Sequence, residues 1–247
     1  MLSALWLKIL ASVLMLSDHL GIALYVSGRI TRDAYIVFRC VGRCAFPIYC
    51  FLLCEGAKYT RNRFRYALQL LLFGLVSELP FNLLSQRSLW SVEAQNVFFT
   101  LFLGLLLLFL LEYVDKRRGK ARKWWIILFL AAMLSAAVLA DVLELDYGFG
   151  GILIIVIMGL NNLGLSKLRA YFADDRFIRL LTAAIGIVAL SMCHTNIEYY
   201  ALFSLLPIGL YNGTRGLKSG ALKYGFYLFY PVHLFLLWEF FMRGISG

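Results

Sequence analysis

Apolar runs of about 17 to 22 residues recur along this chain, each long enough to carry a helix across a hydrocarbon core of roughly 30 Å. In lipid every backbone N–H and C=O must find its partner within the protein, so such runs leave the helix as the spanning element. Reading them in order gives about nine spans: Leu2–Tyr25, Ala34–Gly56, Phe64–Leu84, Gln95–Tyr113, a fifth ending at Ala140, a sixth ending near Leu165, Phe177–Cys193, a short eighth ending at Tyr211, and Leu222–Met242. The expected fold is all-α, a polytopic transmembrane helical bundle that fills residues 1–247 as a single integral-membrane domain.

Composition agrees, since 62% of the 247 residues are hydrophobic and only 15% are charged, far from the balance of a soluble domain. The net charge of +10 would suggest nucleic acid in a soluble protein. Here the basic residues gather in alternate loops, densest in DKRRGKARK, Asp115–Lys123, and such clustering marks the cytoplasmic side of a membrane. It puts the N-terminus in the cytoplasm, in a multi-pass protein of the plasma membrane. Anionic lipid headgroups or a phosphorylated cytosolic compound are then the natural partners, and nucleic acid is not. Arg29 and Arg32, in the first outer loop, are exceptions to the pattern.

Ionisable residues inside apolar runs are costly and by default mark a site or a buried pair. The first run carries Lys8, Asp18 and His19. Lys8 and His19 are eleven positions apart, about three helical turns and roughly 16 Å of rise, so they share a face with Ser12 and Met15 between them. Asp18 points about 100° away from His19, which leaves it open to pair with an arginine. In the second run Arg39 and Arg43 share a face, and Pro47 clashes with the carbonyl of Arg43, so a kink with a freed carbonyl beside a buried guanidinium is expected. The following loop holds Arg61, Asn62 and Arg63, suited to phosphates through charge-assisted hydrogen bonds or simply solvated. Glu78 is either a partner for a buried arginine or a substrate contact. Asp146 and Tyr147 begin the sixth run, where an acid either caps a helix or serves a site. In the last run Tyr230 shares a stripe with Lys223 and Tyr227, and His233 lies beside it at a depth comparable with His19. Cys40, Cys44, Cys50 and Cys54 fall on one helix as i,i+4 pairs with no nearby histidine, which cannot wrap four thiols around one ion, so no metal is expected.

The strings GRCAFPIYCFLLCEGAKYTRN (Gly42–Asn62), SELPFNLL, NVFFTLFLG, DYGFGGIL, YNGTRG and KYGFYLFYPVHL, in that order, resemble the TraX family over nearly the whole chain. That family takes its name from a conjugative-pilus protein that acetylates the N-terminus of pilin. It looks related to the transmembrane acyltransferases that modify surface sugars, which typically carry a basic residue, ten others and then a histidine on the first helix. Lys8 and His19 match that spacing. The resemblance implies an acyl-CoA-dependent transmembrane acetyltransferase, moving an acetyl group from cytosolic acetyl-CoA to a glycan, lipid or peptide acceptor at the outer face. His19, Asp18 and Arg43 are then the catalytic candidates; Lys8, Arg61, Asn62 and Arg63 would hold the cofactor; Glu78, Asp146, Tyr147, Tyr230 and His233 would meet the substrate. The competing expectation is an ion- or solute-conducting transporter using the same His, Arg and Asp residues as a path, although no inverted repeat supports it.

Overall fold

The structure is a computed structural model that describes residues 1–163, 175–217 and 219–244. It is all-helical, with no strand among the described residues. In chain order the helices are α1 (Ala4–Val26), α2 (Arg32–Gly42), α3 (Ala45–Tyr59), α4 (Arg63–Ser85), α5 (Val97–Asp115), α6 (Gly119–Val142), α7 (Gly148–Gly159), α8 (Asp175–Cys193), α9 (Leu205–Gly209) and α10 (Gly220–Phe241). Among the described residues there are also two 3-10 segments, Leu160–Asn162 and Asn196–Ser204.

Among the described residues six segments are long and apolar enough to cross a membrane: α1, α2 with α3, α4, α5, α6 and α8. The count falls short of nine for physical reasons. Gly148–Asn162 is too short to span alone. The expected eighth span is a 3-10 stretch and the five-residue α9, because Thr195, Asn196 and Glu198 leave too few apolar residues to reach across the lipid. Helix α10 has 22 residues, but its tyrosines, Pro231 and His233 keep it out of that apolar class. Most of the basic loop expected over Ser166–Arg176, and the end of the sixth run at Leu165, lie outside the described residues.

Local chemistry sets the helix boundaries. The chain leaves α1 through Gly28, whose φ of 70° suits a residue without a side chain. Thr31, Asn62, Asn96 and Ser219 cap α2, α4, α5 and α10 by accepting from backbone N–H groups of the first turn. Pro47 occupies the third position of α3, and the helix breaks just before it at Arg43 and Cys44. Helix α3 forms the centre of the bundle, touching α1, α5, α7, α8 and the Asn196–Ser204 segment, with Ile48, Cys50 and Leu53 fully or almost fully buried. Small residues permit the closest approaches: a side chain at Gly104 would collide with Ile155 of α7. Among the described residues helix α6 packs chiefly on α5 and α7, and it presents most of its apolar surface outward, as a lipid-facing helix does.

Candidate functional site

The break between α2 and α3 places the Arg43 side chain inside the bundle, where it meets two acids from distant parts of the chain. Its Nη2 donates to both oxygens of Asp18 on α1, at 2.9 and 3.1 Å, and its Nη1 donates to Glu198 Oε2 at 3.3 Å. Asp18 also accepts from Arg39 Nη1 at 2.5 Å. This close approach of α1 and α2 needs Gly42, since a Cβ there would overlap the Asp18 side chain. Burying these charges carries a large desolvation cost, which only several paired, hydrogen-bonded partners can offset. Asp18 is thus committed to two arginines, the pairing that its direction on α1 left open, and makes no hydrogen bond to His19.

Aromatic rings extend the cluster. The Arg43 guanidinium sits over the Tyr147 ring at 5.6 Å, and Tyr147 stacks on Phe46 at 3.8 Å and 4°. Tyr147 holds the left-handed conformation, φ 63°, immediately before α7, a costly backbone state for a bulky residue that must be imposed by its surroundings. Gln95 pins the loop from both sides, through Gln95 N to Glu144 O at 2.8 Å and Asp146 N to Gln95 O at 2.9 Å. The Thr100 hydroxyl donates to the Asp146 carbonyl. Capping of α7 falls to Asp141, whose Oδ1 accepts from Phe149 N at 2.6 Å. The Asp146 carboxyl is therefore left for the interior, where burial pushes its pKa up to about 6 against the opposing pull of Arg43 and Arg39. Burial likewise raises Glu198 above the usual carboxylate range, with Arg43 opposing.

Beside the ionic cluster, His19 of α1 and His233 of α10 share a hydrogen bond, Nδ1 to Nε2, of 2.8 Å. The pattern assigns both tautomers. His233 Nδ1 lies 2.7 Å from the Phe229 carbonyl, which can only accept, so His233 carries its proton on Nδ1 and accepts on Nε2. His19 must then donate from Nδ1, which leaves its Nε2 with a free lone pair. The His19 ring packs edge-on to Tyr230 at 5.9 Å. Tyr230 Oη and Arg43 Nε are both buried, and neither makes a hydrogen bond within geometric limits among the described residues.

These groups line one cavity of about 210 Å³, bounded by Asp18, His19, Arg39, Arg43, Asp146, Tyr147 and Tyr230, with Phe46, Tyr49 and Leu234 among its apolar walls. Of the expected site residues, Asp18, His19, Arg43, Asp146, Tyr147 and Tyr230 line it, and His233 is joined to it through His19. The others lie elsewhere. Glu78 accepts from Asn96 Nδ2 at 2.5 Å instead of meeting an arginine or the cavity, because both sit where α4 packs on α5. Lys8 stands toward the start of α1, its Nζ 5.8 Å from the Phe226 ring centroid. Arg63 pairs with Glu112 at 2.6 Å, and Asn62 spends its side chain on the α4 cap, so Lys8, Arg61, Asn62 and Arg63 do not assemble as one phosphate grip. Arg39 and Glu198 were not among the sequence candidates; the signal for each was a lone charge in an apolar setting, Arg39 one turn before Arg43 and Glu198 within the aromatic NIEYY string.

Lipid-length helices around an internal ionic cluster and a histidine pair define a polytopic membrane protein with a buried polar site. The chain belongs to the TraX family, whose profile, described as TraX protein, matches residues 3–240. It is similar to a protein of Dichelobacter nodosus named "Probable fimbrial assembly protein FimC, serogroup H1", at 29% identity over 259 residues, covering 95% of this chain and 94% of that protein. No solved structure matches it.

Proposed function

We propose that this protein is a plasma-membrane acyltransferase, with its N-terminus in the cytoplasm, that moves an acetyl group from acetyl-CoA to an acceptor reaching the cavity from the outer face. The observation that carries the reading is the His19–His233 pair at the cavity wall, which leaves His19 Nε2 unprotonated and unpartnered. A neutral imidazole with a free lone pair is a general base suited to neutral pH. His19 Nε2 takes the proton of an acceptor amine or hydroxyl as that group attacks the thioester carbonyl. The tetrahedral intermediate then collapses, the C–S bond breaks, and the proton passes from His19 to the departing thiolate. Negative charge on the carbonyl oxygen is met by Arg43 Nε and Tyr230 Oη, buried donors beside the cavity that are unpaired among the described residues. His233 acts as a positioning residue that holds the His19 tautomer, as second groups do for catalytic histidines. The relative's name makes a fimbrial or other envelope polypeptide the first acceptor to try, alongside wall glycan and lipid.

The test uses protein in lipid nanodiscs with radiolabelled acetyl-CoA and envelope extracts. His19→Ala should abolish transfer with expression intact; an alanine variant with full transfer activity ends the proposal. His233→Ala should cut turnover and alter its pH profile, whereas His233→Gln, which can still accept from His19, should restore part of the activity. Flux of ions or solutes with no acyl transfer is the outcome a transporter would give.

A further inference from the structure

A second group of ionisable residues stands at the opposite end of the same helix. Three helices and one loop converge there. The segment after α9 is tied to the start of α1 by Leu2 N to Leu210 O at 2.7 Å, Asn212 N to Leu2 O at 2.9 Å and Ala4 N to Thr214 O at 2.8 Å. Gly216, with φ +77°, turns this loop against Ser3 and Leu5, where a Cβ would be crowded. The loop therefore delivers Arg215 to a fixed place beside Lys8, one turn into α1. Lys8 Nζ lies over Phe226 of α10. Three residues before Phe226, Lys223 Nζ donates to Gln69 Oε1 at 2.7 Å, and Gln69 stands one turn beyond Arg65 on the same face of α4. Arg215 and Lys223 are the charges that bear on Lys8, and Arg65 and Arg215 both bear on Lys223.

Among the described residues none of these four cations forms a salt bridge. The contrast with the neighbouring Arg63, which is neutralised by Glu112, is informative. Gathering four like charges, one of them on a half-buried lysine, is unfavourable unless a multivalent anion joins them. Arginine and lysine together suit phosphate oxygens, arginine by its bidentate fork and lysine as a compact charge.

We propose that Lys8, Arg65, Arg215 and Lys223 form a binding site for paired phosphates, and that the phosphates are those of the nucleotide thioester that donates the acyl group. The assignment rests on the acyl-transfer reading and moves the cofactor grip away from Arg61, Asn62 and Arg63. A single helix face then runs from the phosphates at Lys8 past Ser12 and Met15 to His19, roughly 16 Å of rise, and Met15 and His19 both line the cavity.

The probe is coenzyme A, titrated by calorimetry into full-length protein in nanodiscs of phosphatidylcholine alone. Native protein and Arg63→Gln should bind it equally. Arg215→Gln with Lys223→Gln should bind at least about tenfold more weakly, a difference worth one factor of ten in Kd, and added salt should narrow that difference. Arg215→Gln alone, at an exposed loop position, should show a smaller loss in the same direction without disturbing the fold. Pantetheine, which lacks the phosphates, should not distinguish the variants. Equal affinity for coenzyme A in native and doubly substituted protein overturns the site and leaves acyl transfer standing. Native protein that binds no coenzyme A removes the acyl-CoA reading and this assignment with it. Binding to phosphatidylglycerol nanodiscs that depends on the four cations, with none to coenzyme A, also overturns the proposal and gives the cluster to lipid headgroups.

Discussion

Replacing Asp18 by Asn tests whether the ionic cluster is a structural keystone. The carboxylate accepts one bond from Arg39 at 2.5 Å and two from Arg43 at 2.9 and 3.1 Å. Asparagine fits the space but removes the charge, and one of its two positions turns an NH2 donor toward a guanidinium. Removing one member of a buried ion pair costs about 3 to 5 kcal/mol because the partner is stranded. Two features place this case at the lower end. Arg43 keeps Glu198 at 3.3 Å, and the Arg39 side chain is 20% exposed and can turn to water. The expected loss is about 3 kcal/mol, or roughly 150-fold in the folded-to-unfolded ratio. Arg39→Gln should cost much less, about 1 kcal/mol, since Asp18 then retains its bidentate contact with Arg43. Reversible unfolding in mixed micelles, with helicity as the signal, measures both. A Asp18→Asn protein within about 0.5 kcal/mol of native, the range of an ordinary surface change, would show that the carboxylate does not hold the arginines and that the account of the α1–α2 contact is wrong.

Gly42→Ala adds a methyl where Asp18 already stands, so it should cost about 1 to 3 kcal/mol as overpacking and, under the proposed function, reduce acyl transfer through the displaced Arg43; the same unfolding assay and the radiolabel assay read the two effects. Asp146 sets a pH dependence whose sign follows from its raised pKa. Burial holds the folded-state value at about 6 against 3.8 for the free side chain, so the folded protein binds the extra proton between those values, and stability falls as pH rises from about 4 to 6. Thermal unfolding of native protein should therefore lose ground to Asp146→Asn across that window, and a native protein that gains on the variant there would contradict the burial argument.

Within single helices the sequence was a sufficient guide, because spacing along a helix fixes which residues share a face. The helical class and the Lys8 to His19 stripe followed from local rules, and so did the interruption at Arg43, where Pro47 cannot donate a hydrogen bond and its ring crowds the preceding turn. The number of crossing segments did not follow, because a short apolar run can end inside protein as readily as in lipid. Gly148–Asn162 does so, with Asn162 Nδ2 donating to the Cys54 carbonyl at 2.8 Å.

Which charges neutralise one another is a property of packing between elements, and spacing within one element carries no record of it. Asp18 and His19 are neighbours in the chain, yet their roughly 100° separation around α1 sends one to Arg39 and Arg43 and the other to His233. Glu198 reaches Arg43 across 155 positions, and Asp146 is released to the cavity only because Asp141 caps α7 in its place. Lys8 and Arg63 are both basic residues near helix starts, but Arg63 faces an acid on α5 whereas Lys8 faces further cations on α10 and its preceding loop. The sequence alone thus determined where costly polar groups enter the membrane bundle. The tertiary structure decided which of them cancel and which remain free for chemistry, since a buried charge takes its partner from whichever helix packs against it.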